Sequence, residues 1–228
     1  MNFFTYKTLY IVVFIAIAIG IAIFNPGIYP IFSDVPPGGS INDNTEDEMK
    51  NADMLSTSSG SYEVRAEDVE YFEGSRGLYV EPTMQGTYPG VVMIHENRGL
   101  RPEIRQTAEQ LAKEGYRVLA VDLFDGRVVE TQDEARTITA SFDHAKAVEN
   151  MQSAVQYLKE KGASKVASLG WCFGGRQSVA LAISGEKLDA TVVYYGGGMA
   201  TSTEQLKPIT WPVLGIFGDQ DQAIPLTM

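Results

Sequence analysis

Ser168-Leu169-Gly170-Trp171-Cys172-Phe173-Gly174-Gly175 carries the chain from a short apolar run into a stretch of helical character. Lys165–Leu169 reads as a strand and Arg176–Ile183 as a helix, so the residues between them must turn sharply. Gly-x-Cys-x-Gly is the order of a nucleophile elbow, with cysteine where serine is more usual. The spacing has a steric cause. A side chain thrust out of so tight a turn needs neighbours without Cβ atoms, because strand and helix converge there. Cys172 would then stand at the top of a sheet beside a helix N-terminus, where backbone N–H groups and the macrodipole favour thiolate. The competing reading is a small, inert, buried cysteine; the flanking glycines argue for the nucleophile.

The same rhythm extends outward on both sides. Towards the N-terminus, Gly90–Ile94 and Tyr116–Val121 are continuous apolar runs of the kind buried on both faces of a parallel sheet. Between them Pro102 suits a first helical position, Ile104, Ala108 and Leu111 recur at helical spacing, and Gly115 ends the segment. Tyr62–Phe72, a turn at Gly74–Gly77 and Leu78–Val80 suggest a leading hairpin. Asp125–Ser141 is polar and reads as a loop with a short helix, followed by a longer helix marked by Val148, Met151, Val155 and Leu158. Beyond the elbow come strands at Ala190–Tyr195 and Pro212–Phe217. Repeated β-α alternation implies an α/β fold, a mainly parallel sheet with helices on both faces and ligands at the carboxyl ends of the strands.

Upstream of Tyr62 the composition changes. Thr8–Phe24 is uncharged and rich in Ile, Val, Ala and Phe. As a helix it would cover about 25 Å of a hydrocarbon layer about 30 Å thick. Residues 1–32 are read as an uncleaved membrane anchor, the alternative being a signal segment; Phe24-Asn25-Pro26-Gly27 lacks a small-x-small cleavage pattern. Lys7 ahead of the run places the N-terminus in the cytoplasm and the rest outside, as a single-pass protein of the cell membrane, or a secreted one if the segment is cleaved. Residues 33–61 are Pro-, Gly-, Ser- and acid-rich and read as a flexible linker. The catalytic-type domain is placed at 62–228.

The 228 residues carry a net charge of −11, with no basic stretch to offset it, which argues against nucleic acid as a partner. Cys172 is the single cysteine, so no intrachain disulfide exists.

From Tyr62 to Pro225 the chain resembles the dienelactone hydrolases, the cysteine-nucleophile branch of the α/β-hydrolase superfamily. The resemblance rests on Met93-Ile94-His95-Glu96-Asn97-Arg98-Gly99-Leu100, on Gly115-Tyr116 through Val121-Asp122-Leu123-Phe124, on the Gly170–Gly175 elbow and on Phe217-Gly218-Asp219-Gln220-Asp221 with Pro225. It implies Cys172 as nucleophile and Glu96 as a carboxylate that helps switch the thiol into its reactive state. Asp219 and Asp221 both suit a turn; the resemblance selects Asp221 as the triad acid. The backbone N–H groups of Phe173 and Asn97 match the oxyanion donors, an arrangement that elbow geometry also requires. Arg127 corresponds to an arginine holding a substrate carboxylate. Trp171 and Phe173 are read as pocket walls, His95 as a substrate-side residue or hydrogen-bonded wall rather than a base, and His144 as an exposed helix start.

The implied activity is hydrolysis of a small lactone or ester through a thioester, with no metal or organic cofactor. One departure stands out. The family order is Cys, Asp, His, and no histidine follows Asp221. The expectation drawn from this is a chain that stops before its closing elements. Two other readings remain open at this level: an anchored, catalytically silent domain that binds a ligand or protein, and a thiol sensor.

Overall fold

Strand β3, Gly90–Ile94, is buried at every position. Val91 and Met93 face one side and Val92 and Ile94 the other, because successive side chains of a strand alternate. A strand so placed needs a helix layer on each face. The structure, a computed structural model, describes residues 62–224 and supplies both layers.

In chain order the elements are β1 (Val64–Phe72), β2 (Ser75–Pro82), β3, α1 (Pro102–Lys113), β4 (Arg117–Val121), α2 (Gln132–Ala140), α3 (His144–Glu160), β5 (Val166–Trp171), α4 (Phe173–Ile183), β6 (Ala190–Tyr194), α5 (Thr203–Leu206) and β7 (Val213–Ile216). The sheet order is β1-β2-β4-β3-β5-β6-β7. The β1–β2 and β2–β4 pairs are antiparallel and all the others parallel. On one face Val91, Met93, Val118, Ala120 and Leu169 pack on Ile104, Ala108 and Leu111 of α1. Opposite, Val92, Ile94, Leu119 and Val121 meet Met151, Val155 and Leu158 of α3 and Leu181 of α4. Each of the Val, Leu, Ile and Met side chains among them contributes roughly 1.5–3 kcal/mol on burial.

Helix starts follow local chemistry. Pro102 opens α1, and Gly115, with φ +90°, follows its end. Thr131 and Glu134 form a reciprocal capping box at α2, and Asp143 accepts the N–H groups of Ala145 and Lys146 at α3. The hairpin turn is tighter than expected, at Glu73-Gly74, because β2 already begins at Ser75. Helix α4 begins at Phe173, three residues before the apolar periodicity shows it, since Phe173-Gly174-Gly175 carries no such signal.

The anchor, linker and preceding hydrophobic helix read from residues 1–61 lie outside the described residues. Among the described residues no helix is long and apolar enough to cross a membrane.

Candidate active site

At the end of β5 the backbone of Cys172 takes φ 57° and ψ −119°, a left-side conformation rare for any residue with a Cβ. Its N–H is held by the carbonyl of Tyr194 on β6 at 3.0 Å, and its carbonyl accepts from Arg176 at 3.3 Å. The glycines are required by contact. A Cβ on Gly170 would stand 2.2 Å from the carbonyl oxygen of Gly174, and one on Gly174 would stand 2.3 Å from that of Ile94 and 2.6 Å from that of His95. Gly174 thus lets the first turn of α4 press against the end of β3, bringing Phe173 beside the segment that carries Glu96 and Asn97.

The thiol is half-buried. Burial raises its pKa, the Phe173 N–H directed at the sulfur opposes that, and the carboxylates of Glu96 and Asp221 raise it again. The net direction is upward. This corrects the expectation of a helix-favoured thiolate: the N-terminal donor is present, but desolvation and two neighbouring negative groups outweigh it. It also shows that Glu96, after β3, and Asp221, after β7, both act on the sulfur.

Asp221 is partly buried, and its Oδ1 accepts from the N–H groups of Ala223 at 2.8 Å and Ile224 at 3.0 Å. Asp219 is exposed. Of the two, Asp221 is therefore the one fixed in place and sensed by the thiol. Asn97 lies in a turn closed by Gly99 N–H to the Glu96 carbonyl at 3.4 Å. Gly99, with φ +87°, passes so close to the carbonyl of Arg127 that a Cβ would lie 2.3 Å from it. Among the described residues the N–H of Asn97 makes no hydrogen bond within the protein.

His95 is fully buried. Its Nε2 accepts from Leu123 N–H at 3.0 Å, which leaves the proton on Nδ1 to donate to the Glu96 carbonyl at 2.6 Å. Burial lowers its pKa, so the ring is neutral. The substrate-side role assigned to it is corrected: both nitrogens are committed, and His95 positions Glu96 from beneath. Arg127 is exposed, and its Nε donates to the carbonyl of Phe124 at 3.1 Å. It lines a cavity of about 210 Å³ with Asp125, Phe142, Asp143 and Lys146, and Cys172, Glu96 and Asp221 are not among the walls. The structure therefore does not bring Arg127 to the thiol. Phe142 belongs to that cavity and also meets the ring of Phe173 at 4.9 Å. Trp171 is partly buried against the α1-side core. His144 is exposed, 5.1 Å from Phe142, and the thiol does not sense it.

Sequence reasoning missed Tyr195. The strand ends one residue earlier than expected, and Tyr195 takes φ 33° with its N–H on the Ile216 carbonyl at 2.8 Å. Burial raises its pKa, and Cys172, Glu96 and Asp221 raise it further, so a neutral phenol joins the same cluster. The glycine run Gly196-Gly197-Gly198 straight after a strand was the available signal. Among the described residues no three His, Cys, Asp or Glu side chains converge as metal ligands.

A cysteine elbow after the fifth strand, a carboxylate after the third and another after the seventh define an α/β-hydrolase site. Residues 75–227 match the model of the dienelactone hydrolase family, and the chain belongs to that family. A carboxymethylenebutenolidase of Pseudomonas putida is 28% identical over 160 residues, covering 65% of this chain and 67% of that protein. A putative carboxymethylenebutenolidase of Synechocystis sp. is 29% identical over 170 residues, covering 66% and 68%. Among solved structures, a dienelactone hydrolase-like promiscuous phosphotriesterase from metagenomic libraries is similar, with a TM-score of 0.64, 29% identity and 72% of each chain covered. The chain is a hydrolase of the dienelactone hydrolase type.

Proposed function

We propose that this protein hydrolyses a small lactone or carboxylic ester by acyl transfer to Cys172. The observation that carries this reading is the strained Cys172 backbone, which holds the sulfur at the mouth of α4 where Glu96 and Asp221 both act on it. The sulfur attacks the acyl carbon, the N–H groups of Phe173 and Asn97 take the developing oxyanion, the alcohol leaves, and water releases the acid from the thioester. A thiol with a raised pKa rests protonated, so attack requires a base. Glu96 is the carboxylate that the resemblance assigns to switching the thiol on, and Asp221 is the acid that would orient an imidazole. Neither described histidine is that imidazole: His95 is committed on both nitrogens, and the thiol does not sense His144.

The test is hydrolysis of a panel of lactones and aryl esters by the full chain and by Cys172→Ala. Loss of the nucleophile is expected to cost on the order of 10³-fold or more in kcat/KM. Retention of the hydrolysis rate by Cys172→Ala would overturn the assignment.

A further inference from the structure

Cys172 and Tyr195 leave the sheet side by side. Strands β5 and β6 pair in parallel with Trp171 opposite Tyr194, so the next residue of each, Cys172 and Tyr195, continues the same register across a gap of about 5 Å. Among the described residues three non-glycines take a positive φ, and two of them are these, with 57° at Cys172 and 33° at Tyr195. A bulky residue is strained there, and the strain persists only because its surroundings impose it. The Tyr194 carbonyl holds the Cys172 N–H at 3.0 Å, and the Ile216 carbonyl of β7 holds the Tyr195 N–H at 2.8 Å. A Cβ on Gly196 would stand 2.8 Å from Arg176 N, near the start of α4. The tyrosine is thus locked to the elbow, on the strand between the one that carries the sulfur and the one that leads to Asp221.

Its side chain carries an unused proton. Tyr195 is partly buried, and among the described residues its hydroxyl makes no hydrogen bond. Burial, and then Cys172, Glu96 and Asp221, hold its pKa above the ordinary phenol value, so the hydroxyl stays protonated and acts first as a donor.

The strand order places that donor relative to the reaction. Strand β5 lies between β3 and β6. The N–H groups of Phe173 and Asn97 belong to the β3 side, because Gly174 lets the start of α4 press against the end of β3. An ester whose carbonyl oxygen is drawn to that side can turn its departing oxygen towards β6, where Tyr195 stands. An alkoxide is a stronger base than a phenolate and leaves far more readily once protonated. We propose, resting on the Cys172 reading above, that Tyr195 is a catalytic residue whose hydroxyl gives its proton to the departing alcohol oxygen as the thioester forms. The S–C bond forms and the C–O bond breaks. The thiol proton passes to Glu96, the phenol proton goes to the leaving oxygen, and the proton held on Glu96 then restores the phenol. Thiol and ester become thioester and alcohol with no proton left over. Alkyl esters and saturated lactones, whose leaving oxygens are strongly basic, thereby join activated esters as substrates.

Esters of one acid with different alcohols separate this role from a structural one. Acylation of the full chain by the 4-nitrophenyl, phenyl and ethyl esters of butyric acid is followed by the mass gain at Cys172 and by release of the alcohol, for which one equivalent per protein suffices. 4-Nitrophenolate departs without a proton, whereas ethoxide needs one. Tyr195→Phe is expected to slow acylation by the ethyl ester on the order of 100-fold and by the phenyl ester less. With the 4-nitrophenyl ester it should stay within about three-fold, an internal check of the fold. Equal slowing with all three esters would reduce Tyr195 to a packing role. No acylation of the wild type by the ethyl ester, or no slowing of it in Tyr195→Phe, would place the proton elsewhere. Each of these results overturns the role of Tyr195 while leaving Cys172 as the nucleophile. No mass gain at Cys172 with any of the esters overturns the nucleophile, and this inference with it.

Discussion

At the scale of single residues, the site opposes two tendencies at one sulfur. The Phe173 N–H favours negative charge there, whereas burial and the carboxylates of Glu96 and Asp221 disfavour it. The resting thiol is therefore protonated and protected from adventitious alkylation and oxidation. The balance can be measured. The rate of iodoacetamide labelling of Cys172 should rise with pH through a midpoint above that of a free thiol, about 8.5. Because each carboxylate raises the midpoint, Glu96→Gln and Asp221→Asn should each lower it, and the thiol should react faster at neutral pH in both. A midpoint unchanged in both variants would mean that the two carboxylates do not act on the sulfur. The residue-level reading of the sequence succeeded where sterics left few choices. Gly170, Gly174 and Cys172 announce an elbow because nothing else tolerates a carbonyl 2.2 Å from a Cβ. It failed for the thiol's charge, which depends on how much water the fold excludes and on two groups that arrive from distant strands.

At the scale of elements, the antiparallel end of the sheet is tied by charge. Glu81, the penultimate residue of β2, is buried. It accepts from the Arg65 guanidinium of β1, from Arg117 Nε of β4 at 3.0 Å and from the Tyr79 hydroxyl at 2.8 Å. Three strands are thereby pinned through one carboxylate. Burial opposes its ionisation, but the hydrogen bonds from Tyr79, Arg65 and Arg117 prevail and hold its pKa below the usual value. Glu81→Ala should lower unfolding stability by about 2–4 kcal/mol, since it strands the Arg117 cation and the Tyr79 hydroxyl; denaturant titration reads this directly. Glu81→Gln should lose less, because it keeps an acceptor for one of them. Equal stability of wild type and Glu81→Ala would show that the network contributes nothing net. None of this was legible in Gly77-Leu78-Tyr79-Val80-Glu81, where a strand is visible but the partners of its last charged residue are not. The elements themselves were legible wherever period and punctuation agreed, as at Pro102 and Gly115. The Asp125–Ser141 region was read only in outline, although Thr131 and Glu134 carry the capping box that fixes the start of α2.

At the scale of the whole molecule, one sheet carries Glu96, Cys172, Tyr195 and Asp221 on four different strand ends; its mainly parallel character was implicit in the β-α alternation, its strand order was not. What alternation cannot show is which polar groups the finished core encloses, and His95 is the sharpest case. Adjacent to Glu96 in sequence, it reads as a substrate neighbour; in the fold it is sealed beneath the site, its ring 4.8 Å from Phe124 and 6.1 Å from Phe173. Protonation would set a new N–H against the Leu123 N–H that Nε2 now accepts. The Asp122 carboxylate, 3.9 Å away, compensates only in part, since its Oδ1 and Oδ2 already accept from Phe124 and Gly126. A folded pKa lowered below the unfolded value of about 6.5 means that the unfolded chain binds the proton first. The contribution of neutral His95 is thus complete above pH about 6.5 and is lost as pH falls below it, by at most about 1.4 kcal/mol per pH unit. Thermal unfolding of the wild type should drop by about 2–4 °C between pH 6.5 and 5.5, before the acid loss through Glu81 sets in below about 4.5. His95→Gln should be less stable at pH 7.5 yet flatter across that window. His144→Gln, at an exposed helix start, should retain most of the wild-type slope. Parallel pH profiles for wild type and His95→Gln would show that the buried imidazole does not govern the acid limit of the fold.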